Sequence, residues 1–227
     1  MTIRRVMFSR CTVLATAIVV IGCNGKAPRT LSASDSLAIV QDNLIHRENV
    51  DRFHRMDPES PFRRDTTVTY TGLKWFPINP YYRGTSVLHR YEKPETVSVF
   101  GTKGEERRNV RYGYFEFDVP DESGRMRAIR LNVYKFTPQD ARRYALYRNM
   151  LSVWFTDETT GKETYRVGRY VEVGEENPDP QFVYTIDLNK AYNPYCAYSD
   201  LYSCAIPRKE DHIPIAIRAG EKNYHDH

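Results

Sequence analysis

Cys196 and Cys204 are the residues of this chain whose type and spacing point most directly to chemistry. Seven residues separate them, which fits no zinc motif, and the chain has no Cys-x-x-Cys pair. Two thiols in an oxidising compartment usually pair, so we predict a disulfide that holds the intervening loop in one shape. Two free structural thiols, or a metal or redox site, are the alternatives that the spacing leaves open.

Arg169 is a second candidate, because it alternates in phase with Val167 and Val171 and therefore lies on an apolar face of its segment. An unpaired charge there is very costly, so we expect a carboxylate partner, with Asp187 and Glu221 as candidates. The pair is either a structural tie between strands or a clamp for a ligand carboxylate or phosphate. In the second interpretation a ligand pocket is formed by Arg169, Tyr165, Asn193, Tyr198, Glu221, Asp187 and Trp75.

Carboxylates that could work in pairs with an arginine suggest hydrolysis as an alternative activity. The candidates lie beside predicted strands and turns: Asp157, Glu163, Asp187 and Glu221. Charged residues next to turns are usually solvated, which favours the structural interpretation. The chain has no Gly-x-Ser-x-Gly elbow, no His-Glu-x-x-His motif and no glycine-rich phosphate or dinucleotide loop. We therefore assign no catalytic residue and predict neither a metal nor a cofactor.

The N-terminus has the pattern of an export signal. Arg4, Arg5 and Arg10 precede an apolar stretch over residues 12–22, which is too short to span a membrane. Residues 20–23, Val-Ile-Gly-Cys, resemble the lipobox of bacterial lipoproteins. We predict a signal peptide over 1–22, lipidation of Cys23 and a tether over 23–34, the alternative being ordinary secretory cleavage. Two acyl chains are enough for stable membrane anchoring, and the absence of aspartate at position 24 favours the outer membrane.

The charge balance changes once such a signal is removed. Three of the 33 basic residues and none of the 29 acidic residues lie in residues 1–22, which leaves 30 basic against 29 acidic residues. A nearly neutral chain has no electrostatic footprint for nucleic acid, so we expect no nucleic-acid partner. The expected membrane contact is the lipid on Cys23.

Periodicity predicts which elements position these residues. Ser34 and Asp35 can cap a helix that carries Leu37, Val40 and Leu44 on one face and ends near position 57. Alternation with a period of two then indicates half-buried strands. These strands are predicted at 115–119, 129–133, 151–155, 167–173, 182–188 and 213–217. Residues 140–149 fit a short helix or a tyrosine-rich strand.

The strands follow one another with little room for crossover helices, which favours antiparallel pairing. We therefore predict a mainly β protein: a single antiparallel β-barrel or β-sandwich-like domain over 35–227, with an N-terminal helix. A loop at 189–198 contains Asn193-Pro194 and three tyrosines, and we expect it to be ordered against the body of the domain.

Three sequence blocks resemble the DUF1684 family of bacterial proteins, whose function is uncharacterised. They are residues 57–61 with 71–77 and 81–83, residues 157–161 with 163–170, and residues 187–198 with Cys204 and 217–222. The chain departs from the family pattern at Ala205, where proline is usual, and at Asp211, where asparagine is usual. The resemblance covers most of the chain after the tether and implies no activity.

These observations favour a lipid-anchored binding or accessory module of the cell envelope. Its 17 tyrosines suit contacts with a small polar or sugar-like ligand or with another envelope protein. The alternative is an envelope hydrolase that uses the paired carboxylates with an arginine.

Overall fold

A long helix precedes a mainly β structure in the computed structural model, which describes residues 30–225. Helix α1 spans Ala33–Met56, and Ser32 caps it by accepting a hydrogen bond from the Asp35 N–H at 3.0 Å. The helix ends at Asp57, because the following Pro58 disfavours the helical conformation there. The predicted signal peptide over 1–22, Cys23 and tether residues 24–29 lie outside the described residues.

The apolar stripe of α1 does not form the core contact that its spacing predicts. Leu37 and Leu44 are 58% and 55% exposed, whereas the buried residues of the helix are Asn43 and His54. The Asn43 amide donates a hydrogen bond to the Asp187 carboxylate at 2.8 Å. The helix is therefore held by polar and aromatic contacts, which hydrophobic periodicity does not detect.

Within residues 30–225, eight strands form two sheets. The bounds are β1 Arg83–Val87, β2 His89–Phe100, β3 Glu106–Pro120, β4 Met126–Phe136, β5 Met150–Asp157, β6 Arg169–Glu175, β7 Val183–Asp187 and β8 His212–Ile213. Strands β2 to β6 are antiparallel neighbours in chain order, and β8 joins β5 in parallel. Strands β1 and β7 form a separate antiparallel pair. The remaining helices are α2 Pro61–Arg64 and α3 Ala141–Tyr147.

The larger sheet is buried on both faces in its middle. One face contributes Phe115, Leu131 and Val153 to the main core, together with Ile186 of β7. On the other face, Tyr134 and Trp154 pack with Val99 against Ala205, which lies in the loop after β7. This arrangement confirms the mainly β prediction and is sandwich-like. Among residues 30–225 the strands do not close into a barrel.

The chain over residues 192–206, which we call the crossing loop, covers this second face from one edge to the other. Tyr192 pairs with Tyr170 at the β6 edge, and the Tyr170 N–H donates to the Tyr192 carbonyl at 2.9 Å. At the far end, the Ile206 N–H donates to the Phe100 carbonyl of β2 at 2.8 Å. The loop has one 3-10 turn, Tyr195–Ala197, and is otherwise irregular.

The strand predictions differ from the structure at three places. Strands β1 and β2 were not predicted, because β2 is largely exposed and has only one buried residue, Val99. The predicted strand over 213–217 is wrong beyond Ile213, since Pro214 has no N–H with which to continue a ladder. Residues 140–149 contain α3, with Asp140 as its N-cap, and the strand alternative is excluded.

Candidate functional site

Arg169 is the first residue of β6 and lies opposite Phe155 of β5. Gly168 before it has a φ of 116°, and a Cβ there would lie 2.6 Å from the Phe155 carbonyl oxygen. Only glycine therefore lets the chain approach β5 this closely. The approach directs the Arg169 side chain into the core, where it is 1% exposed.

The Arg169 guanidinium donates to protein groups through both terminal nitrogens, although its buried Nε has no hydrogen-bond partner within residues 30–225. It donates to the Asp157 carboxylate at 2.7 Å, to the Ile217 carbonyl at 2.8 Å and to the Ala219 carbonyl. Burial lowers the pKa of Arg169, and the adjacent Asp157 carboxylate opposes that shift. The pair thus ties the ends of β5 and β6 to the C-terminal segment. This geometry favours the structural tie between strands over the alternative, a clamp for a ligand anion, which stays a prediction.

Glu221 is the second buried group of this cluster and is 1% exposed. Its carboxylate accepts hydrogen bonds from the Asn193 N–H at 2.9 Å and from the Tyr198 hydroxyl at 2.5 Å. Burial raises the pKa of Glu221 to about 7, although these hydrogen bonds and Arg169 act in the opposite direction. The structure therefore brings Arg169 and Glu221 together with Asn193 and Tyr198 of the crossing loop.

Of the other residues of the predicted pocket, Trp75 pairs with Glu221 through an isolated antiparallel bridge, whereas Asp187 forms its hydrogen bonds outside this cluster. Asp187 accepts from Asn43 and from the Asn189 N–H, so its predicted pairing with Arg169 is wrong. The β5–β6 register instead brings Asp157 to the guanidinium. Trp75 lies under the Arg47 guanidinium, 4.8 Å from the ring centroid.

Each predicted hydrolytic carboxylate has a protein partner. Asp157, Asp187 and Glu221 are buried in the hydrogen bonds given above, and none of them lines a cleft described here. Glu163 is half-buried and forms an ion pair with Arg218 at 2.8 Å. The structure does not bring these four carboxylates into a common open site.

A cleft of about 470 Å³ lies between the second face of the larger sheet and the crossing loop. We call it the aromatic cleft. Trp154 and Tyr170 line it from the sheet, and Tyr192, Tyr195 and Tyr202 line it from the loop side. Aromatic rings combine a broad apolar face with a polar edge, so such a cleft suits a ligand that has both characters.

The polar groups of the aromatic cleft are not all satisfied by the protein. Trp154 is 4% exposed, and its buried Nε1 has no hydrogen-bond partner within residues 30–225. The indole ring is held in place by stacking on Tyr134, with the ring centroids 4.6 Å apart. Arg107 also lines the cleft; it donates to the Ser203 carbonyl at 2.8 Å, while its buried Nε lacks a partner in the same range. A buried donor without a partner requires an explanation, and a ligand is one; within residues 30–225 the same condition holds for one buried atom each of Asn43, Arg47, Arg111, Arg169 and Asn193.

A second cleft, of about 280 Å³, lies on the other side of the crossing loop, and we call it the thiol cleft. Tyr165, Cys196 and Tyr198 line it, together with Arg166. The Tyr165 hydroxyl donates to the Cys196 carbonyl at 3.2 Å and lies 3.8 Å from its sulfur. Two residues of the predicted pocket, Tyr165 and Tyr198, thus do line a cleft, although Arg169 does not.

Cys196 and Cys204 are adjacent free thiols in this structure. The Cys196 N–H donates to the Cys204 sulfur at 3.1 Å, and both side chains are half-buried. The predicted disulfide between them stays a prediction. Within residues 30–225 no group of three or more histidine, cysteine or acidic residues is arranged to hold a metal ion. No helix in that range combines the length and apolar character needed to cross a membrane.

Sequence reasoning missed Trp154 and Tyr170 as cleft residues. Both alternate with core residues of their strands, Phe155 and Val171, which puts them on the opposite face of the sheet. A usable signal was present, because large aromatic rings on a supposedly solvated face indicate that something covers that face.

The fold and clefts define a class: a mainly β, sandwich-like domain in which a C-terminal loop encloses a candidate ligand cleft. The chain belongs to the DUF1684 family, described as a protein of unknown function, whose model matches residues 68–222. The match includes the aromatic cleft and most of the thiol cleft but not α1. No curated protein matches the chain.

The fold is similar to the solution NMR structure of an uncharacterised protein of Haloarcula marismortui. The two chains are 29% identical, and the TM-score is 0.55. The similarity covers 82% of this chain and 95% of the other. The structural neighbour supports the architecture, and neither it nor the family comes with a described activity.

Proposed function

We propose that this protein is a lipid-anchored module of the cell envelope that binds a small polar or sugar-like ligand in the aromatic cleft. The observation that carries the proposal is the buried, unpartnered indole N–H of Trp154 at that cleft. An unsatisfied buried donor costs free energy in the empty protein, and a ligand acceptor would recover it. Ligand binding is therefore the simplest role for the cleft.

The chemistry of the lining favours a sugar-like ligand over a purely apolar one. Sugars present C–H faces that pack on aromatic rings, and hydroxyl or ring oxygens that accept hydrogen bonds. The tyrosines of the cleft provide the faces, and the Trp154 Nε1 and Arg107 Nε provide donors. The half-open shape of the cleft also leaves room for a chain segment of another envelope protein, which is the second ligand class.

The cellular location rests on the N-terminal sequence. A positive lead, an apolar run and Cys23 in a lipobox-like context support cleavage after residue 22 and lipidation of Cys23. Residues 23–34 would then separate the domain from an outer-membrane leaflet. In this arrangement the protein acts at the membrane through its lipid and not through a spanning segment.

The first experiment is native mass spectrometry of the purified protein to detect a co-purifying ligand, followed by a thermal-shift screen with monosaccharides and disaccharides. For the best ligand we expect Trp154→Phe to weaken binding about fivefold, which corresponds to the loss of one hydrogen bond worth about 1 kcal/mol. The matched control is Trp75→Phe, because the chain has two tryptophans and Trp75 lies outside the cleft. It should bind like the wild type.

Two outcomes would contradict the proposal. Equal binding by the wild type and Trp154→Phe would show that the indole N–H does not contact the ligand. Equal weakening by Trp154→Phe and Trp75→Phe would show an effect on folding instead of on a contact. Chemical alteration of a bound ligand on incubation would instead favour the envelope hydrolase.

A further inference from the structure

The crossing loop places two thiols where each faces a different cleft. Cys196 lines the thiol cleft and Cys204 lines the aromatic cleft. The backbone N–H of Cys196 lies 3.1 Å from the Cys204 sulfur, so the two side chains meet inside the wall between the clefts. Both are half-buried, which gives a small molecule access without exposing the pair to larger thiols.

The surroundings distinguish the two sulfurs. The hydrogen bond from the Cys204 thiol, helped by the Tyr165 hydroxyl and Thr102, lowers the pKa of Cys196 to about 7 against the effect of burial. The same hydrogen bond, together with burial, raises the pKa of Cys204. The charged groups that act on the pair and on Tyr165 are Arg107 and Arg166. The thiolate is the form that attacks a disulfide, so Cys196 is the nucleophile of the pair.

We infer that Cys196 and Cys204 form a thiol–disulfide exchange site that accepts low-molecular-weight disulfides through the thiol cleft. The Cys196 thiolate attacks one sulfur of the small disulfide, and the other sulfur leaves as a thiolate that takes up a proton. Cys204 then loses its proton and attacks the Cys196 sulfur, which expels the second small thiol. The protein dithiol is oxidised to a disulfide by two electrons, and the small disulfide is reduced to two thiols.

This reaction has a structural consequence for the clefts. The bond would join the start and the end of the stretch 196–204 and so fix the part of the crossing loop that separates the two clefts. The inference goes beyond ligand binding: the small disulfide enters through the thiol cleft, which Trp154 does not line, although Cys204 also lines the aromatic cleft. A disulfide between the two cysteines is, on this account, one state of a cycle.

The test uses the full chain, reduced and then incubated with oxidised glutathione. In Cys204→Ser the resolving thiol is missing, so a mixed disulfide should accumulate on Cys196. The matched control, Cys196→Ser, should form an adduct at Cys204 at least about tenfold more slowly, because burial alone still raises the pKa of the Cys204 thiol and Cys204 does not line the thiol cleft. Intact mass spectrometry follows the adduct, and peptide mapping separates it from the cysteines near the N-terminus. The wild type should instead release two glutathione molecules per chain and keep none.

Three results would overturn the inference. The first is equal adduct rates in the two variants. The second is an adduct in Cys204→Ser that forms only after unfolding in urea, which would show that the folded site is closed to small disulfides. The third is a lasting glutathione adduct on the wild type, which would show that Cys204 does not attack the mixed disulfide on Cys196.

Discussion

At the scale of single residues, the interior contains two ionisable side chains that are almost fully buried, Arg169 and Glu221. Removing a carboxylate or a guanidinium from water costs several kcal/mol per ion, so each must be satisfied by fixed partners. Arg169 has Asp157 and backbone carbonyls, and Glu221 has Asn193 and Tyr198. The two groups fasten the C-terminal segment and the crossing loop to the ends of β5 and β6. Their role is to position the walls of the clefts.

The raised pKa of Glu221 makes stability depend on pH. Its pKa is about 7 in the folded protein against an ordinary value of 4.5, so the folded state binds more protons than the unfolded state between these values. This contribution to stability is complete below pH 4.5 and is lost as the pH rises towards 7. We expect Glu221→Gln, which cannot ionise, to show a smaller loss of unfolding free energy over this range than the wild type. Urea unfolding at several pH values measures it.

The difference in unfolding free energy between the wild type and Glu221→Gln separates the contribution of Glu221 from those of the other titrating groups. His54 acts in the opposite direction, because burial lowers its pKa to about 4. The matched control is Glu92→Gln at an exposed position of β2, which should follow the wild-type curve. Parallel curves for the wild type and Glu221→Gln would show that the Glu221 carboxyl does not titrate in this range.

At the scale of elements, α1 is attached to the sheets through polar groups. Asn43 is fully buried and donates to Asp187 at the end of β7, while Asp42 forms ion pairs with Arg83 at 3.0 Å and Lys190 at 2.8 Å. Exposed ion pairs contribute little, so the buried amide is the main specific contact of the helix. The crossing loop is attached differently, through backbone pairing with β2 and β6.

We expect Asn43→Ala to lower the free energy of unfolding by about 1–3 kcal/mol, because the buried Asp187 carboxylate loses a donor. Hydrogen exchange should show the largest loss of protection in α1. Asn49→Ala, a change of the same type at an exposed position of the helix, should leave both quantities nearly unchanged. Equal effects of the two substitutions would mean that helix propensity, and not the contact with Asp187, controls the docking of α1.

At the scale of the whole molecule, the predicted lipid on Cys23 would connect to the domain through the predicted tether and α1. The exposed leucines of α1 lie directly after the tether, on the element nearest the predicted lipid. The crossing loop contacts each edge strand of the larger sheet at one residue, Tyr170 of β6 and Phe100 of β2, and most of β2 stays exposed.

Lipidation predicts how the protein distributes in a bacterial host. The wild type should be found in the membrane fraction and incorporate labelled palmitate. Cys23→Ser should lose the label and leave the membrane fraction, because no acyl chains remain to anchor it. The matched control is Cys11→Ser, which lies in the predicted signal peptide and should keep the label. Membrane retention of Cys23→Ser without label would show a different mode of attachment.

Local patterns in the sequence were sufficient for the architecture. Alternation with a period of two predicted the strands around Phe115, Leu131 and Val153, because side chains of a strand alternate between core and solvent whatever their partner. Pro58 marked the end of α1, and three sequence blocks predicted the family. Strand β2 was missed because its residues are mostly exposed and carry no alternation.

The contacts between distant segments required the tertiary structure. The partner of Arg169 is Asp157 and not Asp187, and only the β5–β6 register and the close approach at Gly168 decide this. Likewise, Trp154 belongs to a cleft because the crossing loop covers the outer face of its sheet. Local sequence determines which face of a strand a residue lies on, whereas what covers that face depends on segments far away in the chain.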